Sequence, residues 1–162
     1  MKKSLIWALI FAGILALILV IVVVQRGKNE TVSDISFKLI EAKDRGNTLK
    51  REESRFPKWG EDLKTEGKFV EVKIEVQNLG KEATSKWLLG KIADGKGREF
   101  KPLPPAEVWD WYPKDNQCFE ELLPNSPAKS CTKIYEVAGD SKNLKVKVWA
   151  VSGPGNTISL GI

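Results

Sequence analysis

The chain has 162 residues, with 26 Lys and Arg against 21 Asp and Glu, and it contains no histidine. Residues 1–28 hold four basic groups and no acidic one, so the remaining 134 residues are almost neutral, with 22 basic and 21 acidic groups. A nearly neutral domain lacks the basic surface that nucleic-acid-binding proteins need, so we expect no nucleic-acid partner. The lack of histidine also excludes the usual hydrolase triads and most zinc sites.

Residues 5–24 form an apolar run in which only Gly13 falls outside the hydrophobic set. A helix of this length reaches about 30 Å, which is the thickness of the hydrocarbon core of a bilayer. A cleaved signal peptide is the alternative, but the run is longer than about 15 residues and no small-residue cleavage site follows it. The sequence predicts a segment 1–28, made of a cytoplasmic stub and a transmembrane signal anchor, followed by a domain over 29–162.

Small residues recur along one side of this predicted span. Ala8, Ala12 and Ala16 are four positions apart, a spacing that lets two transmembrane helices approach closely. Because alanine is common in membrane spans, a weak homodimer through this face stays an alternative to a monomeric anchor.

Cys118 and Cys131 are the only cysteines of the chain, and they flank a loop that contains proline and asparagine. A disulfide between them would be worth about 3 kcal/mol and would persist only in an oxidising compartment. Two unrelated buried thiols are the alternative. The pair favours a disulfide, and with the anchor it predicts a single-pass cell-membrane protein whose domain lies outside the cytoplasm.

Alternating apolar and polar residues beyond the anchor predict short antiparallel strands. The clearest pattern covers 69–77, where the apolar residues at 70, 72, 74 and 76 face one way and the polar residues at 71, 73, 75 and 77 the other. Similar patterns lie at 32–43, 84–93, 98–101, 131–138, 144–151 and 157–162. About seven strands without a convincing amphipathic helix predict an all-β, immunoglobulin-like sandwich.

The most polar part of the domain is 44–67. We expect it to be a solvated excursion with at most one helical turn, held by Phe56 and Trp59 packing inward.

Four segments carry a resemblance to a known family: GKFVEVKIEVQNLGKE at 67–82, DGKGREF at 94–100, KIYEV at 133–137 and LKVKVW at 144–149. Their order resembles that of domain of unknown function 4352, a family of secreted or membrane-anchored prokaryotic domains. The resemblance covers roughly residues 32–151 and implies an immunoglobulin-like sandwich outside the cytoplasm, without catalytic residues. Residues 124–127 depart from the family pattern, and 102–117 resembles an insertion.

Two acidic groupings invite a chemical interpretation. Asp94 and Glu99 flank glycines, but the spacing is not that of a calcium loop and the intervening Lys96 and Arg98 would repel a cation, so a plain hairpin is predicted. The acids at 110–121 could imitate a glycosidase pair, yet Glu120 and its neighbour would point to opposite faces of an extended chain. We therefore expect neither an enzyme nor a metal or other cofactor.

The most unusual segment is 101–113, where prolines precede Trp109, Trp111 and Tyr112. On an extended strand the two tryptophans would share one face and form an apolar platform for a sugar ring or a partner side chain. Alternatively, all three rings fold back to cover an open end of the sandwich. The sequence thus predicts a binding module for a protein or a glycan outside the cytoplasm; a carbohydrate-binding module and, less well supported, an envelope enzyme acting on polysaccharide are the alternatives.

Overall fold

The computed structural model describes residues 29–32, 34–150 and 155–162. Within them every strand pair is antiparallel, and two four-stranded sheets form, in the orders β1-β2-β3-β6 and β5-β4-β7-β8. The prediction of an all-β antiparallel fold is confirmed. The strands are β1 Asn29–Val32, β2 Ile35–Leu49, β3 Leu63–Asn78, β4 Trp87–Ala93, β5 Glu99–Phe100, β6 Lys129–Val137, β7 Lys145–Ala150 and β8 Asn156–Ser159.

The main core lies between the two sheets. β3 contributes Val70, Val72, Ile74 and Val76, which are all fully buried, and β7 contributes its own alternate residues from the second sheet. These are the apolar positions that the alternating patterns place on one face, because side chains two residues apart on a strand point the same way.

A second, smaller cluster covers the outer face of the first sheet. Phe69 and Ile134 are buried although they are one position out of phase with the core-facing Val70 and Tyr135, so they lie on the opposite face of β3 and β6. Val108 and Tyr112 pack on them from the segment between β5 and β6. This segment therefore covers the outside of a sheet and not the open end of the sandwich.

The excursion predicted at 44–67 is shorter than expected. β2 continues to Leu49 and β3 begins at Leu63, so the two long strands pair well into the polar region. Bulges in β2 accompany this extension, one of them at Gly46, whose φ of 70° suits glycine. Polar side chains are compatible with these strands because their outer positions meet solvent. A 3-10 turn at Arg51–Glu53 supplies the predicted helical turn.

The inward packing predicted for Phe56 and Trp59 is wrong, because their side chains are 49% and 75% exposed. Leu49 and Leu63, at the ends of β2 and β3, pack in the second cluster instead. The connection between them therefore runs outside the apolar cluster.

No helix among residues 29–32, 34–150 and 155–162 is long and apolar enough to cross a membrane. The predicted span at 5–24 and the small-residue face of Ala8, Ala12 and Ala16 lie outside the described residues.

The hairpin predicted after β4 is confirmed, since Ala93 pairs with Glu99 and the chain turns through Gly97 at a φ of 79°. Asp94 organises the turn: Oδ1 accepts hydrogen bonds from the backbone N–H groups of Lys96 and Arg98, both at 2.9 Å. Burial alone would raise the pKa of Asp94, but hydrogen bonds led by the Arg98 side chain outweigh burial and lower it. Hydrogen bonds from Lys96 and Arg98 also lower the pKa of the neighbouring Asp140, to about 2.

Acidification from about pH 4 towards about pH 2 is expected to destabilise this hairpin. A carboxylate whose pKa is lower in the folded state than in the unfolded state stabilises the fold at pH values above its unfolded-state pKa. It loses that contribution as the pH falls through its folded-state pKa. Urea unfolding of the wild type and of Asp94→Asn measures the effect. The variant should be less stable than the wild type near neutral pH. This difference in the free energy of unfolding should disappear as the wild-type carboxyl becomes protonated. A difference that is independent of pH would contradict this assignment.

Candidate functional site

The aromatic segment is helical and not extended. A short helix, α1, covers Pro105–Val108 and continues into a 3-10 turn at Trp109–Trp111. Proline suits the start of a helix because the first N–H groups have no partner there. In a 3-10 turn, residues two apart are about 240° apart around the axis, so the expected platform of Trp109 and Trp111 on one face is not formed.

The three candidate rings have different surroundings. Trp109 is 57% exposed, and Tyr112 is buried in the second cluster. Trp111 is half-buried against that cluster, and its Nε1 donates to the carbonyl oxygen of Lys50 at 3.0 Å. Covering the sheet therefore accounts for Trp111 and Tyr112, and only Trp109 presents a largely free ring.

Arg51 joins the β2–β3 connection to the aromatic turn. Its Nη1 lies 2.7 Å from Oδ2 of Asp110, and its Nε donates to the carbonyl oxygen of Phe56 at 3.0 Å. The guanidinium also lies 5.5 Å from the ring centre of Trp111. One cation thus contacts three separate points, which fixes the two segments against each other.

Arg55 makes a second link between these segments. Its guanidinium lies 4.6 Å from the ring centre of Trp109 and 5.7 Å from that of Phe56, distances at which cation–π attraction operates. Nη2 of Arg55 donates to the carbonyl oxygen of Trp109 at 2.7 Å, and the Arg55 N–H donates to that of Asp110, also at 2.7 Å. The exposed rings of Trp109 and Phe56 are therefore joined through one cation.

We call Phe56, Trp59 and Trp109, together with Arg55, the aromatic surface. The N–H of Trp59 donates to the carbonyl oxygen of Phe56 at 3.1 Å, which turns the connection tightly and brings its two aromatic residues into one loop. Exposed apolar rings that lie close together, as those of Phe56 and Trp109 do around Arg55, are unusual on a protein surface and mark interaction sites. The sequence-based prediction did not include Phe56 and Trp59 of the β2–β3 loop in the candidate site. Their position as isolated aromatic residues within a charged stretch was a signal of exposure.

The structure pairs Cys118 with Cys131, with Cα atoms 4.5 Å apart. Cys131 lies on β6, and Cys118 belongs to the segment that follows the aromatic turn. The side chain of Asn116 adds to the attachment, because its Oδ1 accepts from the N–H of Thr132 at 2.8 Å and its Nδ2 donates to the Thr132 carbonyl at 3.1 Å. The segment after the aromatic turn is thus attached to the edge of β6.

Two of the acids considered for glycoside chemistry, Asp110 and Glu120, have cationic partners. Asp110 pairs with Arg51, and Oε2 of Glu120 lies 2.6 Å from Nζ of Lys129. The hydrogen bond from Lys129 lowers the pKa of Glu120, whereas a general acid needs a raised one. Among residues 29–32, 34–150 and 155–162, no group of three His, Cys, Asp or Glu side chains could hold a metal ion.

No protein-family model matches the chain, and neither does any curated protein. Three solved structures are similar to it. A conserved hypothetical protein from Bacillus anthracis has a TM-score of 0.56 at 15% identity, over 82% of this chain and 92% of that one. The YjhA protein of Bacillus subtilis has a TM-score of 0.53 at 10% identity, over 82% of this chain and 96% of that one.

The third structure is that of YcdA from Bacillus subtilis, described as a putative lipoprotein, with a TM-score of 0.53 at 11% identity. The match covers 83% of this chain but 38% of that one. At such low identities, the three similarities establish a common fold and nothing about activity.

Proposed function

We propose that the protein is a membrane-anchored, non-catalytic binding module that works outside the cytoplasm and recognises a protein partner through the aromatic surface. The observation that carries the proposal is the exposure of Phe56 and Trp109 against the guanidinium of Arg55, with the exposed Trp59 in the same loop as Phe56. Tryptophan and arginine are the residues that most often dominate the binding energy of protein interfaces.

The connections beneath the aromatic surface support recognition by a preorganised site. Arg51 and Arg55 hold the β2–β3 loop and the aromatic turn together before any partner arrives. Ordering loops during association costs affinity, so loops that are already ordered leave more of the contact energy for binding.

A protein partner fits the surface better than a sugar ring does. The platform expected for a glycan needs Trp109 and Trp111 side by side, and Trp111 packs instead against the second cluster. The remaining exposed rings come from two loops and include Phe56, a composition typical of interface cores. Glycan binding through Trp109 is therefore the alternative, and a binding experiment must distinguish it from binding of a protein.

Location and family complete the proposal. The apolar run at 5–24 supports a single-pass anchor that places the immunoglobulin-like sandwich outside the cytoplasm, and the pairing of Cys118 with Cys131 fits an oxidising compartment. One protein of similar fold is described as a putative lipoprotein, which is consistent with attachment to a membrane. We also propose membership of the family of domain of unknown function 4352, on the residues at 67–82 and 133–137.

Replacing Trp109 with alanine is expected to weaken partner capture by about 30-fold or more, as for a central interface residue. Affinity-tagged full-length protein would be crosslinked in its own membranes and the captured material quantified by mass spectrometry, with glycan analysis in parallel. Leu79→Ala is the matched control, because Leu79 is also 57% exposed but follows β3 at the end remote from the β2–β3 loop.

A protein whose capture is lost in Trp109→Ala and kept in Leu79→Ala supports the proposal. Equal capture by both variants would rule out the aromatic surface as the binding site. Recovery of a polysaccharide in place of a protein, with the same dependence on Trp109, would replace the protein partner with a glycan.

A further inference from the structure

Lys133 is an unusual lysine because it lies in the interior of the fold. It is 8% exposed and has the same strand phase as the core residues Cys131 and Tyr135 on β6. Its Nζ donates to the carbonyl oxygen of Leu89 on β4 at 2.7 Å. In the part of the chain that the structure describes, no carboxylate pairs with this ammonium group.

Hydrogen bonding to β4 explains in part why Lys133 is buried. β4 carries an irregularity between Leu89 and Ile92, and the hydroxyl of Tyr135 donates to the carbonyl oxygen of Gly90 at 2.7 Å, beside the Lys133 contact. Both side chains thus supply hydrogen bonds to carbonyl groups of β4. A single neutral carbonyl does not balance a buried ammonium group, which has three N–H donors and a net charge.

A cavity of about 210 Å³ lies next to Lys133. Its walls are mostly apolar, and no ring of the aromatic surface belongs to them; the lining residues are Pro102, Leu103, Pro104, Pro105, Tyr112, Cys118, Phe119, Thr132 and Lys133. An apolar cavity of about 150 Å³ can hold a benzene molecule, so this cavity has room for about eight non-hydrogen atoms.

The ring of Phe119 is a weak partner for the lysine. Its centre lies 5.7 Å from Nζ of Lys133, and the Phe119 side chain is 73% exposed. An aromatic ring attracts a cation but carries no net charge, so it does not replace a carboxylate partner for this ammonium group.

We propose that this cavity binds a carboxylate with a short apolar tail, which pairs with Nζ of Lys133. The tail lies against the prolines of 102–105 and the ring of Phe119. A carboxylate supplies the charge that Lys133 lacks, and apolar walls strengthen the pairing because they exclude water. The ligand is either a free short-chain carboxylic acid or the carboxyl terminus of a peptide that ends in a small apolar residue.

Burial lowers the pKa of Lys133, which agrees with the absence of a nearby carboxylate in the described residues. A bound carboxylate would offset this effect by stabilising the ammonium form. The site does not depend on the aromatic surface, so this proposal and the proposed function can fail separately.

The test titrates full-length protein in lipid nanodiscs with two carboxylates and follows the methyl signals of Leu103, a cavity residue, by NMR. Pentanoate stands for a free acid. N-acetylvaline stands for a peptide terminus, of which only the valine residue, with eight non-hydrogen atoms, has to enter the cavity. Pentanamide and N-acetylvalinamide are their uncharged counterparts. For ligands of this size we expect a dissociation constant of about 1 mM, weakened about tenfold or more in the amides.

Lys133→Met should weaken carboxylate binding to the level of the amides, whereas Lys129→Met, on the same strand, should leave it unchanged. Binding of pentanoate alone identifies a free acid, and binding of N-acetylvaline alone identifies a peptide terminus. Failure of both carboxylates to shift the Leu103 signals, or equal shifts by acids and amides, would overturn the proposal. The comparison of acids with amides uses the wild type, so it decides the question even if Lys133→Met does not fold.

Discussion

Replacing Gly67 with alanine is expected to lower the free energy of unfolding by about 3 kcal/mol, which corresponds to roughly 10 °C in the midpoint of thermal unfolding. A Cβ at Gly67 would lie 2.2 Å from the carbonyl oxygen of Val137 and 3.2 Å from its carbonyl carbon. Both atoms belong to the backbone, so no side-chain rotation relieves the contact. β3 and β6 would have to separate at this end of the sheet, next to the pairing of Lys68 with Val137.

Gly139→Ala is the matched control for this prediction. An added Cβ at Gly139 has no heavy atom within 4 Å, and this glycine is not in the positive-φ region. We expect its unfolding free energy to change by less than about 0.5 kcal/mol. Urea and thermal unfolding, followed by circular dichroism on the detergent-solubilised chain, compare the two variants; similar stability would contradict the close approach of β3 and β6.

Removing the disulfide is the second change with a large expected effect. Cys118 and Cys131 are thirteen positions apart. Closing a loop of this size lowers the conformational entropy of the unfolded chain, which stabilises the folded state by about 3 kcal/mol. Cys118→Ala combined with Cys131→Ala should lower the midpoint of thermal unfolding by roughly 10 °C. The loss of two buried sulfur atoms adds to the effect, since both residues pack in the main core.

Reduction of the wild type provides the control for the cysteine variant. It breaks the bond but keeps both sulfur atoms in place, so the reduced protein should lie between the oxidised protein and the double variant. Unfolding midpoints measured with and without a reducing agent test this order. If the oxidised and the reduced wild type have the same unfolding midpoint, the bond between β6 and the preceding segment does not stabilise the fold.

The alternation of apolar and polar residues along the strands predicts most of the fold. Val70 to Val76 on β3, and Val146 and Val148 on β7, are buried as their period of two predicts. The turn at Asp94 and the pairing of the cysteines likewise follow from short-range chemistry. The extension of β2 to Leu49 does not follow from alternation, because residues 43–48 include no apolar side chain. Pairing with β3 and the packing of Leu49 in the second cluster stabilise it.

The candidate site was predicted only in part. Trp109 is exposed as a binding residue needs to be, but Trp111 and Tyr112 serve mainly to cover the outer face of the first sheet. Phe56 and Trp59 were expected inside and lie outside. Exposure of an aromatic ring depends on which strand faces remain uncovered, and residue type by itself does not carry this information.

The antiparallel all-β class, the core faces of the long strands and the near neutrality of the domain follow from the sequence, because each depends on residues close together in the chain or on composition. The links that Arg51 and Arg55 make between two loops became visible in the folded chain, as did the burial of Lys133 beside a cavity without an acidic partner among the described residues. Those contacts join residues more than forty positions apart. Their energies depend on burial and on the distances between groups, which are set when the two sheets pack together.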